Sequence, residues 1–257
     1  MSTVFTKPVV INAPEKDVVF NGCDFTKEAM IKITAAKSVT IKNCRFYGFA
    51  PTKKSMGITL TGDTKLVVEG CFFGANNDKL YNFFELNGKL ANGSSISRNY
   101  FVAGCCTHNQ VNIYNVEDDA VVSVNSNYLG SSRIGVKGSP KCTIEFISNE
   151  YIPAADAGEW INMVLVQPYS SETVSMNDVV IKVADTKTAV AADKLVFLYA
   201  GGKDTKFNYQ TNYPKLYMNG MLVEEITNMG DPIEGTKPGE EETPVVEDPT
   251  TDTTVTE

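Results

Sequence analysis

The chain has 257 residues, 42% of them hydrophobic, enough for a sizeable core and outside the compositions that stay disordered. Its formal charge of −8 sits at one end: residues 228–257 hold nine acids (Asp231, Glu234, Glu240, Glu241, Glu242, Glu247, Asp248, Asp252, Glu257) against the base Lys237, leaving 22 basic and 22 acidic residues in 1–227. Only three bases are arginine (Arg45, Arg98, Arg133), no cluster interleaves cations with aromatics, and nowhere do 18 apolar residues follow one another, so neither nucleic acid nor a membrane is an expected partner.

In chain order, PVVINAP (8–14) is expected as the first strand. VVFNGCDF (18–25) follows, with alternating apolar residues, a polar corner, and a large apolar residue two places after it. The same shape returns as VTIKNCRF (39–46), LVVEGCFF (66–73), SSISRNYF (94–101), VVSVNSNYL (121–129) and TIEFISNEY (143–151). Aligned on the corner, the recurring position is Cys23, Cys44, Cys71, Asn99, Asn127 and Asn149, at intervals of 21, 27, 28, 28 and 22 residues. Such a period marks repeat architectures, and two-residue alternation excludes helical repeats. One repeat has room for three short strands and their turns, at roughly 3.3 Å per strand residue. MIKITAA (30–36), MGITLTG (56–62), FELNG (84–88), QVNIYNV (110–116) and RIGVKG (133–138) supply the strands between corners. The unequal intervals leave as loops, such as 47–55, where Lys53-Lys54 reads as a solvated corner, and 74–84, which has room for a short helix. Tyr81, Phe83 and Phe84 read as core.

After Pro153 the corners fade while strands persist at 161–167, 178–185 and 194–200, and Asn219-Gly220 between apolar runs signals a hairpin in 215–225. Three segments follow. Residues 1–153 form the repeat body, and 154–227 form final irregular repeats with a hairpin cap, or else a separate small β domain. Residues 228–257 are an acidic, Pro/Thr-rich tail that cannot order itself alone, serving as a strap along a partner or as a solvated end. Trp160 plugs the end of the core or stacks on a sugar.

The V-x-I-x-N-C-x-F corners, with Cys23, Cys44 and Cys71 continuing as Asn99, Asn127 and Asn149, resemble the right-handed parallel β-helix of the pectate-lyase-like superfamily, which includes many bacteriophage tailspikes and virion proteins. The resemblance covers about residues 8 to 152. It implies an all-β solenoid with an irregular C-terminal β cap, in which inward corner residues stack into a ladder of like side chains. It is specific for fold and not for function, because this fold carries lyases, hydrolases and inert structural parts alike.

The N-terminal MSTVFTKPVVINAP carries no basic leader and no apolar run of signal length, so synthesis in a cytoplasm and six free thiols are expected. Cys23, Cys44 and Cys71 read as small ladder fillers, since stacked side chains point the same way and bridge poorly. Cys105-Cys106 and Cys142 lack metal-site spacing, and no metal or cofactor is expected. Asn92-Gly93-Ser94 is a formal glycosylation acceptor that has no role without secretion. Asp118 and Asp119, in EDDA after Glu117, are the catalytic candidates, because paired carboxylates can share acid and base work on a sugar; the competing reading is a turn between strands. In polygalacturonase-like relatives an Asp pair works with a His motif and a basic strand. Arg133 and Lys137 resemble the basic element, whereas His108, the chain's one histidine, does not match the Gly-His-Gly pattern and reads as a surface or turn residue. The expected function is a non-catalytic structural protein of a phage virion, as a capsid-decorating, head-fibre or tail part. It would be made in the host cytoplasm and bound to other virion proteins, in part through 228–257, with a homotrimer left open. The alternative is a carbohydrate-active enzyme or glycan-binding spike.

Overall fold

The computed structural model describes residues 2–49, 56–74, 80–131, 133–138, 141–153, 155, 161–167, 176, 178–199 and 214–223. Lys53-Lys54, Trp160, residues 75–79 of the second loop and the tail from 224 onwards lie outside them. Among the described residues the protein is all-β with parallel sheets, apart from one 3-10 turn at Ala192–Lys194 and an antiparallel terminal hairpin.

Four N-terminal strands set the pattern: β1 (Val4–Phe5), β2 (Val9–Asn21), β3 (Asp24–Lys27) and β4 (Ile31–Lys42). Strands β1 and β3 pair in parallel and open a sheet of seven strands, each one repeat further along the chain. The fifteen remaining strands form a second sheet, which is two ladders joined at β2 and β4. Val9–Ile11 lie on Ile31–Ile33, and Asp17–Asn21 lie on Ser38–Lys42, with register shifts between. After β4 the ladders part: Ile58–Leu60 pair with its beginning and Lys65–Glu69 with its end. The strand expected at 8–14 and the one that opens 18–25 are therefore a single strand, Val9–Asn21. Small Ala13 and Ala35-Ala36 at the bend add no loop, so pairing resumes within a few residues.

The rows inside the ladders explain why these residues pair. In the first ladder Val9, Ile31, Ile58, Phe84, Val111, Ile134, Val164 and Val196 stand in register, and Ile11, Ile33, Leu60, Leu86, Ile113, Val136, Val166 and Leu198 form a second row. β-branched and aromatic residues suit a pleated surface buried on one face, and each fully buried side chain contributes about 1.5–3 kcal/mol. The third ladder stacks Phe5, Phe25, Phe46, Phe73 and Phe101, with successive ring centroids 4.9, 4.6, 5.1 and 4.4 Å apart. Leu129 and Tyr151 continue that row.

Between the second and third ladders the chain turns through one residue of positive φ: Gly22 (65°), Asn43 (52°), Gly70 (62°), Arg98 (55°), Ser126 (58°), Ser148 (56°) and Asp185 (51°). Gly, Asn and Asp tolerate this region best, which accounts for four of the seven. The seventh corner, Asp185-Thr186, is not evident from sequence because neither residue matches the recurring Cys or Asn. Residues beyond 153 keep the ladders going: Val164–Val166 lie on Ile134–Val136, Asp178–Ala184 on Lys141–Ile147, and Lys215–Met218 on Val180–Val183. At Asn219 (φ 48°) and Gly220 (φ 81°) the chain reverses into the antiparallel strand Met221–Leu222.

Candidate functional site

The six corner positions are joined by hydrogen bonds in sequence order. The Cys23 N–H donates to Cys44 Sγ (3.4 Å), Cys44 N–H to Cys71 Sγ (3.5 Å), Cys71 N–H to Asn99 Oδ1 (2.9 Å), Asn99 N–H to Asn127 Oδ1 (3.0 Å) and Asn127 N–H to Asn149 Oδ1 (2.9 Å). Each Asn Nδ2 donates inward to a carbonyl: Asn99 to Val68 (3.2 Å), Asn127 to Ile96 (2.9 Å) and Asn149 to Val124 (2.8 Å). All six side chains are buried, and the six cysteines of the chain are buried thiols outside any disulfide. Burial raises the Cys23 thiol above its ordinary range. The column spends its polar atoms on the backbone of the neighbouring repeat, which fixes register and leaves no reactive group facing solvent.

Asp118 and Asp119 stand on an exposed turn between Asn109–Val116 and Ala120–Asn125. Asp119 has positive φ (61°), its N–H donates to the Lys141 carbonyl (3.1 Å), and its carboxylate pairs with Lys141 Nζ (2.7 Å), which raises the lysine. Glu117 accepts the Asn92 N–H (3.1 Å). Among the described residues no three His, Cys, Asp or Glu side chains converge. Of the two carboxylates, Asp119 thus engages Lys141 of the second ladder.

His108 is exposed, but its ring lies flat on Tyr81 (4.3 Å, 20°). That partial burial, with the charges of Arg133 and Lys137, lowers its pKa. These two cations belong to a polar cluster on the outer face of the first ladder, where Arg133, Gly135 and Lys137 alternate with buried Ile134 and Val136. Gly135 stands in register with Asn112, and Asn112 with Glu85. Glu85 Oε2 accepts from Asn112 Nδ2 (3.0 Å) and Asn82 Nδ2 (2.8 Å), and its Oε1 from the Tyr114 hydroxyl (2.8 Å). Asn109 Nδ2 donates to Asn112 Oδ1 (2.7 Å), Arg133 Nε donates to Asn109 Oδ1 (3.1 Å), and Lys137 Nζ donates to Gln167 Oε1. A Cβ at Gly135 would lie 2.2 Å from Asn112 Oδ1 and 2.9 Å from Lys137 Cε, so only glycine leaves room for this network. Burial and the nearby Arg133 push Lys137 down to about 8, while Glu85 pulls the other way. Two cations, one carboxylate and four carboxamides in one partly buried patch are suited to holding a polar ligand that carries acceptors. Arg133 and Lys137 were visible in the sequence. Asn82, Glu85, Asn109 and Asn112 were not, because they meet only when strands one repeat apart are laid side by side.

The outer row of the third ladder runs Asp24, Arg45, Phe72, Tyr100, Tyr128, Glu150, Lys187. Asp24 and Arg45 form a two-point pair (2.6 and 2.7 Å), and the guanidinium holds the Asp24 carboxyl below its usual range. Phe72 and Tyr100 are 6.0 Å apart at 10°, and Tyr100 and Tyr128 are 4.2 Å apart at 5°. These rings cover one another's faces and offer their edges outward, an arrangement that supports the sheet better than it would stack a sugar.

Compared with known protein families, curated proteins and solved structures, the chain matches none.

Proposed function

We propose that the three parallel ladders are the faces of a right-handed parallel β-helix, and that the chain is a non-catalytic structural part of a phage virion, a stiff body attached to a larger assembly. Parallel strands joined by crossovers are right-handed in nearly all proteins, which supports the hand. The observation that carries the role is the column from Cys23 to Asn149, in which every corner residue accepts or donates a hydrogen bond across repeats. Inward chemistry is devoted to register, and register along parallel ladders makes a body that resists bending. A density map of assembled particles tests the role: the chain should occupy a defined site against other virion proteins.

A second reading, a glycan-binding or carbohydrate-active protein, draws on the Glu85, Arg133 and Lys137 patch alone. Purified protein incubated with polyuronate or capsular polysaccharide separates the two. Turnover would remove the structural reading, and binding without turnover would favour a spike.

A further inference from the structure

The N-terminal end of the ladders is unfinished. Strand β1 pairs only with β3, and β2 only with β4, so the far edge of both, including all thirteen residues of Val9–Asn21, meets no strand among the described residues. The core is open at the same end. Phe5, Val9, Val18 and Phe20 are only partly buried against it, and Phe5 is the first ring of the aromatic stack, lying on Phe25 at 4.9 Å with Phe20 edge-on to it at 5.7 Å. Val4 (55% exposed), Val10 (64%) and Val19 (63%) line these edge strands, where natural sheets usually place charge or proline to prevent pairing. Pro14, Glu15, Lys16 and Asp17 do so only at the bend between the two legs of β2.

We propose that this end is an interface between two copies of the chain, stacked head to head about a two-fold axis that crosses the end. Such an axis reverses strand direction, so the edges of β1 and β2 meet their partners antiparallel and the unpaired backbone groups of one copy satisfy those of the other. Alternation along β2 points the Val10 and Val19 amides to the open edge, since the Val9 N–H already donates to Met30 and the Gly22 N–H to Lys42. Charge selects a second copy over a partner of one sign. The edge carries Lys7 and Lys16 against Glu15 and Asp17, the last also 3.6 Å from Lys37 and accepting from Ser38 Oγ, so it suits a partner of mixed charge, as a second copy is. A head-to-head contact also closes at two, because it uses up the open end of both copies.

The test is the mass of the full chain in solution by light scattering across a dilution series. A dimer of twice 28.0 kDa is expected, dissociating on dilution. The double variant Val10→Glu, Val19→Glu should be monomeric with an unchanged far-ultraviolet circular dichroism spectrum, whereas Val121→Glu, on the outer face of the second ladder, should leave the dimer intact. Should the double variant misfold, hydrogen exchange on the wild-type chain decides: the Val10 and Val19 amides should gain protection as concentration rises. A wild-type monomer at every soluble concentration would overturn the proposal. So would a dimer indifferent to the glutamates, edge amides protected equally at all dilutions, or an open-ended series of larger species.

Discussion

Replacing Asn127 by alanine tests the corner column at its centre. The side chain makes four hydrogen bonds: Oδ1 accepts from Asn99 N–H (3.0 Å) and Asn99 Nδ2 (3.1 Å), and Nδ2 donates to Ile96 O (2.9 Å) and Asn149 Oδ1 (3.2 Å). Alanine strands the Asn99 N–H in a site where Asn99 is 2% exposed, at a cost of about 1–3 kcal/mol. The Ile96 carbonyl loses a donor as well, and the emptied carboxamide volume adds about 1 kcal/mol. The sum is about 2–4 kcal/mol before the carbonyl is counted, a large share of the roughly 5–15 kcal/mol that holds a domain folded. Asn115→Ala is the matched control, because its Nδ2 donates to the Asn87 carbonyl (2.6 Å) on an exposed face and its loss should cost no more than about 0.5 kcal/mol. Urea unfolding followed by circular dichroism gives both midpoints. A loss below about 1 kcal/mol for Asn127→Ala, or one equal to that of Asn115→Ala, would mean that the column does not carry register.

Cys71→Asn should be neutral or stabilising by up to about 1 kcal/mol in the same assay, because Cys71 Sγ already lies 3.5 Å from the Ile41 carbonyl and accepts the Cys44 N–H, the two partners an amide at this position would take. Thr186 Oγ1 is buried without a hydrogen-bond partner at the seventh corner; Thr186→Asn should extend the column to Asn149 and raise the melting temperature, and a drop would show that the column ends at 149. Lys137→Met should show a pH-dependent gain. The folded-state pKa of about 8 lies below the ordinary 10.5, so the penalty for burying the ammonium is full below pH 8 and fades as pH rises to 10.5. The variant should therefore outlast the wild type at pH 7 and lose that advantage by pH 10.5, and a difference constant with pH would sink this account.

How much was legible follows from where the contacts lie. The corners at Cys23, Cys44, Cys71, Asn99, Asn127 and Asn149 are evident because each repeats a residue type in one inward column, so a single alignment of the repeats places them. The positive-φ residue before each is harder to see, since Gly, Asn, Ser, Arg and Asp all occupy it and only the backbone angle is shared. Asp185-Thr186 escapes because Thr186 stands where the other corners carry Cys or Asn. The outer cluster was half visible: Arg133 and Lys137 share one strand, whereas Glu85 reaches Asn112 from 27 residues away, a contact set by ladder register.

The outer columns sort into two kinds, and the difference bears on where chemistry can reside. Some place like on like or opposite charges together: Phe72, Tyr100 and Tyr128 stack, Lys42 meets Glu69 at 3.0 Å, and Glu145 meets Lys182 at 3.2 Å. Such pairs explain themselves as sheet stabilisation. The column Thr59, Glu85, Asn112, Gly135, Leu165 does neither, and beside it a lysine is buried at a cost that a methionine would avoid. A buried lysine and a carboxylate among carboxamides mark a place where something other than register is served. If the chain handles a ligand as well as holding its shape, Glu85, Asn112, Arg133 and Lys137 are the side chains to mutate first. Loss of binding in Arg133→Ala with an unchanged unfolding midpoint would separate that role from structure.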